Sequence, residues 1–161
     1  MSEPDKSDVF LDPFAGSGAI PLARSKYPYE LLYGFDKSVE SVSALKNNLK
    51  GVKARKKRPI ILSKADARTL SRFDDGFVSK IVTDPPWGRH ETIDDVEVFY
   101  SEVFKEFLRI LAPKGLIVTL IGDRDLVKML SNKHCDDLCV EININTLVNG
   151  QPAALTKWRR L

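Results

Sequence analysis

Residues 83–88, Thr83-Asp84-Pro85-Pro86-Trp87-Gly88, place a carboxylate, two prolines and an indole directly after the apolar run Val78 to Val82. Proline donates no backbone hydrogen bond and fixes its own φ, and Pro86 also turns Pro85 away from helical geometry. The expectation is a stiff, extended loop at the exit of a buried strand. In such a loop the Asp84 carboxylate and the Pro85 carbonyl can accept both hydrogens of one exocyclic amino group, while Trp87 offers a face to a flat ring. The chemistry suggested is that of an amino-bearing ring held beside a cofactor. The same residues also suit a proline-rich turn that merely ends a strand, because Asp-Pro is an ordinary turn former.

Other residues could hold that cofactor. Asp12, Pro13, Phe14, Ala15, Gly16, Ser17 and Gly18 follow the apolar run Val9 to Leu11 and precede a helical start at Ala19. Glycines there let backbone approach a ligand closely and aim amides from the helix start, although a tight strand-to-helix connection needs the same residues. Asp36 ends the next strand, where a carboxylate can accept from both ribose hydroxyls of an adenosine group; its other use is to cap the following helix. Asp66 follows a third strand and can accept from an adenine amino group, or sit in a surface turn. In open α/β sheets ligands lie outside the carboxyl ends of the strands, so Asp12, Asp36 and Asp66 together mark one edge of one crevice.

The elements that must position these groups alternate. Strands are expected at Val9–Leu11, Leu31–Phe35, Pro59–Ser63, Val78–Val82 and Leu116–Ile121. Between them, Ser38 to Leu49 carries a helical stripe at Val39, Val42, Leu45 and Leu49. A longer amphipathic helix carries Val96, Phe99, Val103, Phe104, Phe107, Leu108 and Leu111, and Pro113 with Gly115 stops it. Its aromatics read as core packing. Asp123 can cap a short helix ending near Ser131. Val140, Ile142 and Ile144 then alternate with Glu141, Asn143 and Asn145, and Asn149-Gly150 is a strong hairpin signal pairing that strand with Ala153 to Trp158.

Composition sets bounds. A chain of 161 residues with 43% hydrophobic residues fits one domain with a real core. No run of about 18 apolar residues is present and the first residues are polar, so a soluble, cytoplasmic protein with no membrane span is expected. Cys135 and Cys139 offer no disulfide framework, and with His134 they match no structural zinc pattern, so no metal is expected. The net charge of +3 does not by itself imply nucleic acid. One cluster, Lys50, Lys53, Arg55, Lys56, Lys57 and Arg58, could contact several phosphates or simply be solvated surface. Lys157, Arg159 and Arg160 could extend it. Arg89 and His90, just past the proline loop, could meet a substrate phosphate or face water.

The order of these motifs resembles class I S-adenosylmethionine-dependent methyltransferases: a DPFAGSG loop, acidic ends to strands two and three, then TDPPWG. Asp84 to Trp87 looks like the [DN]PP[YFW] motif of members that methylate amino nitrogens. From Val9 to Leu120 the chain looks most like the catalytic domain of THUMP-associated RNA guanine-N2 methyltransferases, including those acting on tRNA. The resemblance implies an α/β, Rossmann-like fold, a mostly parallel sheet flanked by helices with a C-terminal antiparallel hairpin. It implies S-adenosylmethionine as cofactor, with Phe14 to Gly18 along its methionine part, Asp36 on ribose, Asp66 facing adenine, and Asp12, Lys37 and Ala67 among the contacts. Asp84, Pro85 and Pro86 would hold the target amino group and Trp87 would stack on the base.

The implied substrate is RNA, tRNA or rRNA, with Arg89, Lys53, Arg55, Lys56, Lys57 and Arg58 on its phosphates. Residues 1–161 then form a single catalytic domain with no THUMP or other RNA-binding module, which makes a separate RNA-binding domain or subunit a candidate partner. Trp87 departs from the more frequent tyrosine, keeping a stacking face and losing the hydroxyl. Other readings stay open: methylation of adenine or of a protein glutamine, an inactive cofactor-binding subunit, or a nicotinamide dehydrogenase, which the hairpin and TDPPWG disfavour.

Overall fold

The computed structural model describes residues 1–55, 58–87, 93 and 95–161, and the side chains of all of these except 53–55. Seven strands form one sheet in the order β3-β2-β1-β4-β5-β7-β6. β1 (Val9–Asp12), β2 (Leu31–Asp36), β3 (Ile60–Lys64), β4 (Val78–Thr83) and β5 (Leu111–Ile121) are parallel, whereas β7 (Gln151–Arg160) runs antiparallel to both β5 and β6 (Leu138–Val148). This is the expected Rossmann-like arrangement with its terminal antiparallel pair. The strand order reverses between β1 and β4, which is where such sheets open a crevice.

Helices α1 (Ala19–Arg24), α2 (Val39–Arg55), α3 (Val96–Ile110) and α4 (Arg124–Lys133) flank the sheet. α3 buries Tyr100, Val103, Phe104, Phe107 and Ile110 in a core that includes Leu11, Phe35, Ile81, Ile117 and Trp158. α2 packs Leu45 and Leu49 against Phe10 and Leu32 in a second core. Asp95 caps α3 by accepting from Val98 N at 2.9 Å, and Asp123 caps α4 by accepting from Asp125 N and Leu126 N. Ser38 caps α2, its hydroxyl accepting from Ser41 N at 3.1 Å.

Several boundaries differ from the sequence reading. α3 ends at Ile110 and not at Leu111, because Pro113 disfavours helix for the residue before it and the chain turns extended one residue earlier still. β5 accordingly begins at Leu111, paired with Val78, and after an irregularity resumes pairing at Leu116 with Lys80. The hairpin is longer than expected, with Val148 opposite Gln151. Its two turn residues, Asn149 (φ 49°) and Gly150 (φ 76°), both sit in the left-handed region that a two-residue turn of this hand requires. No helix among the described residues is long and apolar enough to cross a membrane.

Candidate active site

Asp12, Asp36 and Asp66 stand at or just beyond the carboxyl ends of β1, β2 and β3, and Asp84 follows β4, so all four share one edge of the sheet. The loop from Asp12 to Gly18 is pinned to β2. Ala15 N donates to the Phe35 carbonyl at 2.7 Å, and Gly16 N to Asp36 Oδ2 at 2.9 Å. Asp36 Oδ1 accepts from Ser38 N at 2.9 Å. Asp36 therefore joins the glycine loop to the head of α2, and Ser38, not Asp36, does the capping.

Two glycines shape the loop for different reasons. Gly18 has φ 101°, and a Cβ there would lie 2.6 Å from Leu45 Cδ1 and 2.8 Å from Leu49 Cδ1, so its lack of a side chain lets the loop close on α2. Asn48 Nδ2 reinforces this by donating to the Ser17 carbonyl at 2.8 Å. Gly16 (φ 50°) would point a Cβ into open space. Packing therefore does not require a glycine here, and the space beside the backbone is open.

Asp12 is buried and only half satisfied. Its Oδ1 accepts from the Thr83 hydroxyl at 2.8 Å and from Phe14 N at 3.2 Å, while Oδ2 is buried with no partner among the described residues. Burial pushes the Asp12 carboxyl up to about 7, against those two donors, and the charges of Asp84 and Asp36 push the same way. An unpartnered buried carboxylate oxygen at the β1–β4 reversal calls for a donor, best a cationic one. The ammonium of an amino-acid moiety fits that need.

Around it, Phe14 packs against Phe99 of α3 with ring centroids 6.0 Å apart, and the Arg68 guanidinium lies 5.9 Å over the other ring. Ala67 is buried, and Lys37 is exposed beside Asp36. The Asp66 carboxylate is gripped by Arg68, with Nη2 at 2.7 Å and Nε also donating, and Arg68 holds it well below the usual carboxylate range. An adenine amino group would meet Asp66 as part of this ion pair.

The proline loop leaves β4 with Asp84 exposed and Pro85 buried. The Pro86 carbonyl accepts from the Tyr100 hydroxyl at 3.0 Å. Trp87 Nε1 donates to Asp84 Oδ1 at 3.0 Å and to the Leu120 carbonyl at 3.1 Å. Desolvation raises the Asp84 pKa above the ordinary carboxylate value, and the Trp87 hydrogen bond opposes it.

Sequence reasoning did not single out Tyr100 or Gly122 for this site. Tyr100 is fully buried on a helix read as core, and the signal available was its hydroxyl, which inside a protein needs an acceptor. Gly122 follows β5 at the same sheet edge, and a Cβ on it would stand 2.3 Å from Trp87 Cε3.

The expected phosphate contacts fare differently. Lys56, Lys57, Arg89 and His90 lie outside the described residues, as do the side chains of Lys53 and Arg55. Arg58 turns its guanidinium to the Lys6 carbonyl at 2.6 Å and to the Tyr29 carbonyl. Lys157 pairs with Glu141 at 2.7 Å and with Glu3, Arg159 with both of the same carboxylates, and Arg160 donates to the Leu111 carbonyl. β7 also lies five strand spacings from β3, about 24 Å. The C-terminal cations are thus held by two carboxylates and a backbone carbonyl on the β5–β7–β6 side of the sheet. Cys135 and Cys139 are both exposed, and among the described residues no group of three or more His, Cys, Asp or Glu is placed to hold a metal.

With this geometry in view, the family model described as UPF0020, RMKL-like, methyltransferase domain matches residues 1–146. The chain belongs to that methyltransferase family. It is an enzyme domain of the class I type, and its methyl donor is S-adenosylmethionine. Among solved structures, TrmN from Thermus thermophilus is similar with a TM-score of 0.77 and 21% identity, over 94% of this chain and 43% of that one. The chain therefore spans less than half of the TrmN structure. SMU.1697c from Streptococcus mutans, solved with SAH, has a TM-score of 0.75 and 15% identity over 98% of this methyltransferase chain and 91% of its own. An rRNA methylase from Streptococcus thermophilus has a TM-score of 0.71 and 14% identity, covering 98% and 89%. At these identities the likeness is one of fold. No curated protein sequence matches the chain.

Proposed function

We propose that this methyltransferase acts on an exocyclic amino nitrogen of a base in RNA, guanine N2 in tRNA or rRNA. The observation that carries the reading is the Asp84-Pro85-Pro86-Trp87 loop, set at the end of β4 beside the half-satisfied Asp12 at the end of β1. The likeness in fold to an rRNA methylase from Streptococcus thermophilus supports RNA as the substrate class, and the THUMP-associated resemblance of the motifs supports guanine N2.

The residues present suit the cofactor. Asp12 Oδ2 would take the methionine ammonium, Phe14 to Gly18 would line the methionine part, Asp36 would take the ribose, and Asp66 and Ala67 would face the adenine, with Lys37 at the rim. When bound, S-adenosylmethionine supplies an electrophilic methyl group on a sulfonium.

An exocyclic base nitrogen is a poor nucleophile because its lone pair is delocalised into the ring. Asp84 and the Pro85 carbonyl, each accepting one amino hydrogen, would favour a pyramidal nitrogen whose lone pair can be aimed. Pro85 and Pro86 keep the acceptors stiffly placed, and the raised pKa of Asp84 suits it to receive the proton the nitrogen must lose after transfer. Trp87 packs closely against Gly122 and would offer a ring face to a base that has left its stack.

The test is incubation with labelled S-adenosylmethionine and RNA lacking native modification, followed by mass spectrometry of the nucleosides. N2-methylguanosine is the expected product. N6-methyladenosine, or label in protein glutamine, would retain amino-methyl transfer and refute the assigned acceptor.

A further inference from the structure

The Trp87 indole is more constrained than a stacking surface needs to be. Its N–H is shared in the ring plane between Asp84 Oδ1 at 3.0 Å and the Leu120 carbonyl at 3.1 Å. The ring lies against Gly122, where a Cβ would approach Cε3 to 2.3 Å, Cδ2 to 2.5 Å and Cγ to 2.9 Å. Only a residue without a side chain permits this seat. The backbone of β5 and of the turn after it thus fixes the ring, and the ring in turn fixes one oxygen of the carboxylate three residues before it.

We propose that Trp87 is a positioning residue for Asp84: held by Leu120 and Gly122, its N–H fixes Oδ1 and so sets the direction in which the other carboxylate oxygen meets the acceptor amino group. The proposal rests on the amino-methyl transfer reading and deepens it. It assigns to the indole nitrogen a task that phenylalanine at this position could not perform, since phenylalanine supplies a flat face without a donor.

Electrostatics around Asp84 agree with this. Asp12 from β1 and Tyr100 from α3 stand near enough that the Asp84 charge raises both their pKa values, and Asp123 at the head of α4 acts on Tyr100 as well. These neighbours bring acidic groups and no counter-charge. Among the described residues, the Trp87 N–H is the contact that favours the ionised carboxylate against desolvation.

The test compares the full chain with Trp87→Phe, which keeps an aromatic face, and with Gly122→Ala, which keeps Trp87 but displaces its ring. Asp84 is titrated by carbon NMR of carboxyl-labelled aspartate, and kcat and the KM for RNA are measured across pH. Both variants are expected to move the Asp84 titration and the acidic limb of kcat to higher pH. They should also lower kcat about tenfold while changing KM far less. If Trp87→Phe leaves the titration and the acidic limb in place and only raises KM, the indole is a stacking surface and the proposal is wrong. Should the unsubstituted chain transfer no methyl to RNA, the transfer reading fails by that result. The NMR titration then decides the positioning alone: an upward move supports it and no move overturns it.

Discussion

Thr83 and Asp12 meet across the seam between β4 and β1, the threonine hydroxyl donating to Oδ1 at 2.8 Å while both residues are almost wholly buried. The bond satisfies one oxygen of the carboxylate at the place where the strand order reverses, and leaves the other buried with no partner among the described residues. Thr83→Val keeps the shape and removes the donor. Stability at pH 8 should fall by about 1–3 kcal/mol in urea unfolding, with a smaller loss at pH 5, where Asp12 is protonated. An equal loss at both pH values would show that the bond does not act through the ionised carboxylate.

The raised Asp12 pKa links cofactor binding to protons. A carboxyl at about 7 is half protonated near neutrality, and an ammonium brought to Oδ2 would favour its ionised form, so binding should release a proton. Affinity for S-adenosylmethionine is therefore expected to rise as pH increases through about 7, with proton release visible by calorimetry in buffers of different ionisation heat. Without ligand the sign for folding is opposite. The folded carboxyl binds its proton more tightly than the unfolded one, so its contribution to stability is full below the ordinary carboxylate value. That contribution is lost as pH rises through about 7 and amounts to about 4 kcal/mol at most. Asp12→Asn should flatten both dependences.

The two loop glycines separate packing from ligand approach. Gly18→Ala drives a Cβ into Leu45 and Leu49 at a positive φ and should destabilise the fold by about 2 kcal/mol or more. Gly16→Ala carries the backbone strain without a clash, so about 1 kcal/mol is expected, together with a marked loss of cofactor affinity. Thermal unfolding and calorimetry on both variants check this. The reverse pattern would place the cofactor away from Gly16.

Tyr100→Phe removes the donor to the Pro86 carbonyl while keeping the ring in the core. Folding should be weakened by only about 1 kcal/mol, whereas turnover should fall several-fold, because the loop carrying Asp84 loses its tie to α3. Unchanged turnover would mean that the prolines and the Trp87 contacts to Leu120 and Gly122 hold the loop without Tyr100.

Local chemistry was legible in the sequence wherever a few adjacent residues dictate their own geometry. Asn149-Gly150 announced the hairpin because both turn residues need positive φ, and the DPFAGSG and DPPW loops announced the crevice because each follows an apolar strand. Pro113 marked the end of α3, but the strand pairing that begins at Leu111 depends on Val78, far back in the chain. Distant partners hid the roles of the cations. Lys157 and Arg159 could be read as an extension of the basic run, yet each pairs with Glu3 and Glu141, and Arg58 turns its guanidinium to two backbone carbonyls. Asp66 was legible as a strand-end carboxylate, but its grip by Arg68 two residues on was not. Trp87 suggested a stacking face and hid its hydrogen bonds, because Leu120 and Gly122 reach it only through the adjacency of β4 and β5.

The measurement that bears most directly on amino-methyl transfer is single-turnover transfer to unmodified RNA by the full chain and by Asp84→Ala, with S-adenosylmethionine binding followed in parallel by calorimetry. The account predicts transfer by the unsubstituted chain, and in Asp84→Ala a cofactor affinity close to normal with transfer reduced at least about a hundredfold. Full transfer by Asp84→Ala with the cofactor bound would contradict it.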